Sequence, residues 1–159
     1  MSPTCARKVY VAGPLQFQSS RVYLERIEAI LKRNGFDTWS PYKDSGFLTA
    51  DDLSRPEVVA RVLGANIAAF EECVGAVFLL DGCSTGTIFE LGYAYCLAKN
   101  TRRDFVLIGL YSSLRGSEGL DPMVAYALGD VGIVVTSLAD LEGKLTRISG
   151  LKHLSESDR

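Results

Sequence analysis

The residues with the clearest chemical potential are a small-residue loop and the glutamate that follows it. An apolar run ends at Leu80, the loop contains Ser84 and Gly86, and a helix is predicted to begin near Thr87. Glu90 then lies in the first turn of that helix, where the helix dipole favours an ionised carboxylate. Such a carboxylate, facing a cleft, can attack an anomeric carbon and stabilise oxocarbenium-like charge in glycosyl transfer.

The same residues also have a purely structural interpretation. Thr87 and Glu90 have the spacing of a capping box, in which Glu90 would bond only the amide at the start of the helix. Taken alone, this spacing favours the cap over catalysis.

Composition and charge predict one ordinary globular domain. The chain has 159 residues, of which 47% are hydrophobic and 23% charged, and its net charge is -2. We predict a single domain over 1–150 and a polar tail over 151–159. Nothing in this charge balance favours a surface for nucleic acid or for a membrane.

Cysteine and histidine usage argues against a metal site. The four cysteines, Cys5, Cys73, Cys83 and Cys96, include no CxxC pair, and the one histidine, His153, is in the polar tail. No signal peptide precedes the first strand, and no apolar run approaches the ~20 residues of a membrane span. We therefore expect a cytoplasmic protein with free thiols and no metal site.

Apolar runs and helical periodicities alternate along the chain. Strands are predicted at 8–12, 36–40, 74–80, 105–110 and 131–135. Helices are predicted at 20–34, 57–72, 87–99, 123–128 and 138–148, with a loop at 42–56. The alternation predicts an α/β, flavodoxin-like (Rossmann-like) fold, with a five-stranded parallel sheet in the order 2-1-3-4-5 and helices on both faces. Ligands bind beyond the carboxyl ends of the strands in such sheets.

Four motifs follow one another between residues 8 and 145. They are Val9-Tyr10-Val11-Ala12-Gly13-Pro14, then Asn66-Ile67 with Cys73 and its strand, then Thr85-Gly86-Thr87-Ile88-Phe89-Glu90-Leu91-Gly92-Tyr93-Ala94, and last Leu110-Tyr111-x-x-Leu114-Arg115 leading to Asp121-Pro122-Met123-Val124. In content, order and spacing they resemble the nucleoside 2-deoxyribosyltransferase family. The resemblance implies an enzyme that moves 2-deoxyribose between nucleobases without a cofactor, in purine and pyrimidine salvage.

The resemblance also implies roles for two catalytic residues. Glu90 matches the family nucleophile, which forms a covalent deoxyribosyl-enzyme intermediate, and Tyr10 matches the tyrosine whose hydroxyl positions that carboxylate. Without the resemblance, Tyr10 is interpreted as an ordinary strand tyrosine.

Further matches imply contacts with the substrate. Ala12, Gly13 and Pro14 match a loop that lies along the nucleobase, although Gly13 also suits a simple turn. Asn66 matches a position near the base, and Ser84 and Gly86 belong to the loop before the nucleophile. Phe17 is a candidate wall for base stacking or, equally, a core aromatic.

Asp121 and Met123 match residues that enter the site of a neighbouring subunit, which implies a homo-oligomer, at least a dimer. Asp121 also suits the N-cap of the next helix, ahead of Pro122.

Two departures from the family pattern bear on the substrate. Six residues before the nucleophile, deoxyribosyltransferases often carry aspartate, and this chain has Ser84. Related 2′-deoxynucleoside 5′-monophosphate N-glycosidases have serine there, in contact with the phosphate. Asp121 points the other way, because a phosphate ~4 Å from its charge would cost about 4 kcal/mol at an effective dielectric constant of about 20.

The loop at 13–18 also holds no Arg or Lys for a phosphate, although Arg115 could supply a cation if it reaches the site. We therefore favour nucleosides as substrates and keep the monophosphate hydrolase as the alternative. A non-catalytic nucleoside- or nucleotide-binding module is the second alternative, since fold alone does not fix function.

Overall fold

A computed structural model describes residues 7–112 and 119–146. The strands are β1 (Arg7–Ala12), β2 (Phe36–Trp39), β3 (Gly75–Leu79), β4 (Val106–Leu110) and β5 (Gly132–Val135). The helices are α1 (Gln18–Arg33), α2 (Pro41–Asp44), α3 (Pro56–Glu72), α4 (Thr85–Asn100), α5 (Pro122–Val131) and α6 (138–146), with a 3-10 helix at Ala50–Ser54.

The five strands form one parallel sheet in the order β2-β1-β3-β4-β5, which confirms the predicted topology. Every residue of β3 is buried, as expected for a central strand covered on both faces. The chain reverses its direction of winding between β1 and β3, so a crevice opens there beyond the carboxyl ends of the strands.

Alternation along β1 sends its side chains into two different layers. Val9 and Val11 pack with α1 and α6, whereas Tyr10 and Ala12 pack with α3 and α4. Because side chains alternate between the faces of a strand, this register directs the Tyr10 ring toward the α3–α4 side of the sheet. The ring stacks on Phe70 of α3, with 3.8 Å between ring centroids.

The segment between β2 and α3 departs from the prediction, because 42–56 is more ordered than a loop. Pro41 begins α2, and the backbone N–H of Ser40 donates to Asp44 Oδ2 at 2.7 Å. Thr49 and Asp52 form a capping box that begins the 3-10 helix. These turns are too short for a hydrophobic period, so only their capping residues signal them.

Helix boundaries account for the other differences. Helix α4 begins at Thr85, two residues before the predicted start, and α5 continues to Val131 instead of ending at 128. The predicted end of the last helix and the polar tail lie outside the described residues. Within those residues, no helix is long and apolar enough to cross a bilayer.

Candidate active site

A cavity of about 180 Å³ lies in the crevice beyond the carboxyl ends of β1 and β3. Five segments line it: the end of β1 with the loop after it, the start of α2, the turn at 46–48, α3, and the start of α4. The lining residues that concern the chemistry are Ala12, Gly13, Leu15, Gln16, Phe47, Leu48, Asn66, Ser84, Gly86 and Glu90. This is where a parallel sheet of this order binds ligands.

The two carboxylate oxygens of Glu90 differ in their hydrogen bonds. Its Oε1 accepts a hydrogen bond from the Tyr10 hydroxyl at 2.8 Å and another from Asn66 Nδ2 at 2.9 Å. Its Oε2 accepts none from any residue that the structure describes. Two neutral groups therefore hold one oxygen in place, and within the described residues nothing donates to the other.

Burial dominates the electrostatics of Glu90. Desolvation raises the pKa of its carboxyl, and the hydrogen bonds from Tyr10 and Asn66 oppose that rise. The prediction that a helix dipole in the first turn favours ionisation is wrong, because Glu90 is the sixth residue of a helix that begins at Thr85. Neutral hydrogen-bond donors stabilise the ionised form instead.

The capping-box interpretation of Glu90 is also wrong. Ser84 is the N-cap of α4, and its Oγ accepts a hydrogen bond from the backbone N–H of Thr87 at 3.3 Å. The Ser84 hydroxyl also lies 3.1 Å from Thr87 Oγ1. The helix is capped without Glu90, so the glutamate is free for its contacts with Tyr10 and Asn66.

Tyr10 is fully buried and held by aromatic rings on two sides. Trp39 stacks on it at 5.0 Å and Phe70 at 3.8 Å between ring centroids. Burial, followed by the proximity of Glu90, raises the pKa of the Tyr10 hydroxyl far above its ordinary value. The hydroxyl therefore stays protonated and acts as a permanent donor to Glu90.

Asn66 connects the nucleophile to the segment after β2. Its Nδ2 donates to Glu90, while its Oδ1 accepts a hydrogen bond from the buried Ser45 hydroxyl at 2.7 Å. A carboxamide cannot give up a proton as an acid does at neutral pH, so Asn66 can orient Glu90 but cannot protonate a leaving group.

The family model for nucleoside 2-deoxyribosyltransferase matches residues 9–115, which include Tyr10, Asn66 and Glu90. The chain belongs to the nucleoside 2-deoxyribosyltransferase family. Family membership indicates an enzyme that acts on the N-glycosidic bond of nucleosides. No curated protein sequence matches the chain.

Two solved structures share the fold of this nucleoside 2-deoxyribosyltransferase family member. A 2-deoxyribosyltransferase from Bacillus psychrosaccharolyticus superposes with a TM-score of 0.63 at 19% identity, over 85% of this chain and 90% of that chain. A CMP N-glycosidase from Clostridium botulinum gives a TM-score of 0.52 at 15% identity, over 88% of this chain and 99% of that chain. At these identities the likeness establishes the shared fold.

The loop after β1 contributes differently from what the family resemblance implies. Ala12 and Gly13 line the cavity as expected, whereas Pro14 and Phe17 are absent from its wall. Phe17 is 49% exposed and precedes α1, so it is not a core aromatic. Gly13 is required for packing, since a Cβ there would lie 2.9 Å from Leu79 Cβ.

Sequence reasoning missed part of the cavity wall. Leu15 and Gln16 stand where Phe17 was expected, and Phe47 and Leu48 approach from the segment interpreted as a loop. The one available signal was the pair of large apolar residues at 47–48 within an otherwise polar stretch, followed by a capping sequence.

The residues implied to serve a neighbouring subunit lie away from the cavity of their own chain. Asp121 is the N-cap of α5, where its Oδ1 accepts from the backbone N–H groups of Met123 at 2.8 Å and Val124 at 3.3 Å. The side chain of Met123 is 80% exposed. Arg115 lies outside the described residues.

Proposed function

We propose that this protein is a nucleoside 2-deoxyribosyltransferase that transfers 2-deoxyribose between nucleobases through a covalent intermediate on Glu90. The observation that carries the proposal is the pair of hydrogen bonds to Glu90 Oε1, while Oε2 accepts none from the part of the chain that the structure describes. Glu90 lines the cavity at the carboxyl edge of the sheet. A nucleophile needs this combination of a fixed orientation and an unshared reactive oxygen.

In the first half-reaction, Glu90 Oε2 attacks C1′ of a 2′-deoxynucleoside. The C1′–N bond breaks as the C1′–O bond forms, and the bonding electrons leave with the base. Solvent supplies the proton that the departing ring nitrogen needs, because Asn66 cannot act as an acid. Charge on the oxocarbenium-like sugar is stabilised by the adjacent carboxylate.

In the second half-reaction, a ring nitrogen of another base attacks C1′ of the glycosyl-enzyme and releases Glu90 as a carboxylate. The acceptor nitrogen loses its proton to solvent. Water attacking instead gives free 2-deoxyribose, so the outcome depends on whether an acceptor base fills the cavity before water does. Neither half-reaction requires a metal or an organic cofactor.

A free nucleoside fits the electrostatics of the cavity better than a nucleotide. Among the described residues that line it, Glu90 is the sole charged side chain, and no Lys or Arg is present to neutralise a phosphate. In the neighbouring-subunit role, Asp121 adds a negative charge that repels phosphate and can accept a hydrogen bond from a 5′-hydroxyl.

A homo-oligomer, at least a dimer, is part of the proposal. The cavity of one chain, about 180 Å³, is smaller than the ~300–1,000 Å³ typical of ligand sites. Exposed Met123 and Tyr126 on α5 form an apolar surface suited to contact with a second copy. In that arrangement Asp121 and Met123 complete the partner's cavity.

Ser84 supports a second candidate, a hydrolase of 2′-deoxynucleoside 5′-monophosphates. Its hydroxyl lies at the N-terminus of α4, where backbone N–H groups attract anions, and it lines the same cavity. A similarly folded enzyme, the Clostridium botulinum protein, is a CMP N-glycosidase. The chemistry at Glu90 is shared with the transferase, and only the acceptor and the 5′ group differ.

A chromatographic assay separates these candidates. The protein is incubated with deoxyinosine or thymidine, with and without adenine, and in parallel with dUMP or dGMP. Deoxyadenosine formed only in the presence of adenine supports the transferase. Base released from the monophosphates alone supports the hydrolase, and nucleosides bound tightly but recovered intact support a non-catalytic binding module.

A further inference from the structure

Ser45 is linked to the nucleophile through Asn66, since its hydroxyl bonds the carboxamide whose other end donates to Glu90. Its side chain is buried, with 7% of the residue exposed. Its Oγ lies 2.7 Å from Asn66 Oδ1 and 3.2 Å from the carbonyl oxygen of Pro41. Two acceptors therefore compete for the single hydrogen of this hydroxyl.

Neighbouring hydrogen bonds decide that competition. The Pro41 carbonyl already accepts from the backbone N–H of Ser45 at 3.2 Å and from that of Gly46 at 2.9 Å. A carbonyl oxygen has two lone pairs, so both are in use. The Ser45 hydrogen therefore points to the nearer acceptor, Asn66 Oδ1.

The direction of that hydrogen fixes the Asn66 carboxamide. With Oδ1 accepting from Ser45, Nδ2 must face Glu90, which it does at 2.9 Å. The reversed carboxamide would place Nδ2 against Ser45 and Oδ1 against the Glu90 carboxylate. Asn66 Oδ1 and the carboxylate oxygen are both acceptors, so they would repel each other. That arrangement is stable only if Glu90 is protonated and can itself donate.

We infer that Ser45 is a positioning residue for the nucleophile, holding the Asn66 carboxamide with its N–H toward Glu90 so that Glu90 is kept as a carboxylate. The inference rests on the proposed function for its catalytic consequence, although the hydrogen-bond chain itself does not. It gives the segment between β2 and α3 a role in the chemistry as well as in the cavity wall.

The segment that carries Ser45 is anchored well enough for this role. Lys43 Nζ pairs with Glu28 Oε2 of α1 at 2.7 Å, and the Glu28 side chain is only 6% exposed. The Arg21 guanidinium of α1 lies over the Tyr42 ring, 5.7 Å from its centroid. Helix α2 is thereby tied to α1, which fixes the end of the helix from which Ser45 projects.

Few other groups influence the pKa of Glu90, so a change caused by removing the Ser45 hydroxyl is measurable. Burial raises the pKa of Glu90, and the opposing hydrogen bonds come from Tyr10 of β1 and Asn66 of α3. The thiol of Cys73, near Tyr10, has a pKa raised to about 12 by burial and stays neutral. No other charged side chain of the described chain lines the cavity.

The test compares Ser45→Ala with Ser40→Ala, a matched control. Ser40 is a buried serine of the same segment, and its hydroxyl bonds neither Asn66 nor Glu90. Infrared spectra recorded against Glu90→Gln follow the protonated carboxyl of Glu90 as the pH is changed, independently of turnover. The titration midpoint should rise in Ser45→Ala, stay unchanged in Ser40→Ala and return toward wild type in Ser45→Thr.

A double-mutant cycle shows whether Ser45 acts through Asn66. Adding Ser45→Ala to Asn66→Ala should leave the midpoint where Asn66→Ala alone has put it. In assays of the single variant, kcat/KM should fall roughly fivefold and its acid limb should move to higher pH. A Ser45→Ala midpoint equal to that of wild type, or an equal shift in both backgrounds, overturns the inference.

Failure of the proposed function has a different signature. A folded wild-type protein that cleaves no deoxynucleoside or deoxynucleotide contradicts the proposed activity. The Glu90 midpoints of the Ser45 and Ser40 variants still decide the positioning role in that case.

Discussion

Helix α4 and its surroundings contain two tyrosine–carboxylate pairs with opposite properties. In the cavity, the Tyr10 hydroxyl donates to Glu90 at 2.8 Å, and burial raises the pKa of that carboxyl. On the surface, the Tyr95 hydroxyl donates to Asp130 at 3.0 Å, and the ion pair with Lys99 at 2.6 Å lowers the pKa of Asp130. A tyrosine hydroxyl thus donates to both carboxylates, although the fold disfavours the ionised form of Glu90 and favours that of Asp130.

The opposite pKa shifts come from the burial of Glu90 and from the Lys99 ammonium beside Asp130. Asp130 is exposed and shares one oxygen between an ammonium and a hydroxyl, so its charge is already satisfied. Among the described residues, the donors to Glu90 are all neutral, and Glu90 itself lines the cavity. A carboxylate that is oriented but not neutralised retains the capacity to react, whereas one paired with lysine does not.

The larger of these two cavities lies beside the surface pair of Tyr95 and Asp130, so cavity volume does not identify the candidate active site. A groove of about 590 Å³ runs beside Lys99 and Asp130 at the amino ends of β4 and β5, and it is larger than the cavity at Glu90. It lies at the edge of the sheet opposite the one where parallel α/β sheets bind ligands. Position in the topology and the state of the carboxylate identify the site, and volume does not.

The largest expected contrast is in turnover. Glu90→Ala should lower kcat by about a thousandfold or more, because Glu90 is the one carboxylate among the described residues that line the cavity. Asp130→Ala should leave kcat within about twofold, because a surface ion pair contributes little to the fold. Initial rates of base release, with circular dichroism to confirm folding, measure both. Near-normal rates in Glu90→Ala would show that the nucleophile is wrongly assigned.

Substituting the two tyrosines should give a smaller contrast in activity than substituting the two carboxylates. Tyr10→Phe removes a hydrogen bond to a charged group and should lower kcat/KM by about 10- to 100-fold. Since that bond holds the pKa of Glu90 down, the acid limb of the pH profile should also move to higher pH. Tyr95→Phe serves as the control and should change neither quantity. Equal effects of both substitutions would remove the distinction between the two pairs.

The smallest expected effect is on stability, with opposite signs at the two carboxylates. The folded-state pKa of Glu90 lies above its unfolded value, so the folded protein binds the proton more tightly and loses stability as the pH rises through that interval. Glu90→Gln should therefore raise the free energy of unfolding near pH 7, by up to about 1 kcal/mol. The gain should disappear as the pH falls below the unfolded value.

Asp130→Asn should not stabilise the protein at any pH, because the pKa of Asp130 is lowered in the fold and its ionised form is favoured there. Urea denaturation of both variants and of wild type, at several pH values, measures the comparison. A stabilised Asp130→Asn, or a Glu90→Gln that is less stable than wild type at neutral pH, would contradict the assigned pKa directions.

Local sequence patterns predicted the sheet well because its signals are local. Apolar runs and intervening helical periods were enough for five strands in the observed order. The contacts at the site are not local: Tyr10 and Glu90 are 80 residues apart, and Asn66 and Glu90 are 24 apart. Family resemblance brought these residues together, whereas spacing alone favoured a capping role for Glu90 that Ser84 fills.

The misses have a common physical origin. Ser45, Phe47 and Leu48 reach the site through two short turns without a period, and their capping residues do not reveal where the turns pack. The core alternative for Phe17 is wrong because the residue precedes α1 and is 49% exposed. Short irregular segments take their positions from tertiary contacts, which single-residue reasoning does not supply.

Intact-protein mass spectrometry of the enzyme, quenched in acid during turnover of a deoxynucleoside, tests the central claim most directly. We expect an added mass of one 2-deoxyribosyl group, located on the peptide that contains Glu90. The adduct should be absent from Glu90→Ala and lost when an acceptor base is added before quenching. Turnover with no adduct under any quench, or an adduct on another residue, would contradict the role of Glu90 as the nucleophile.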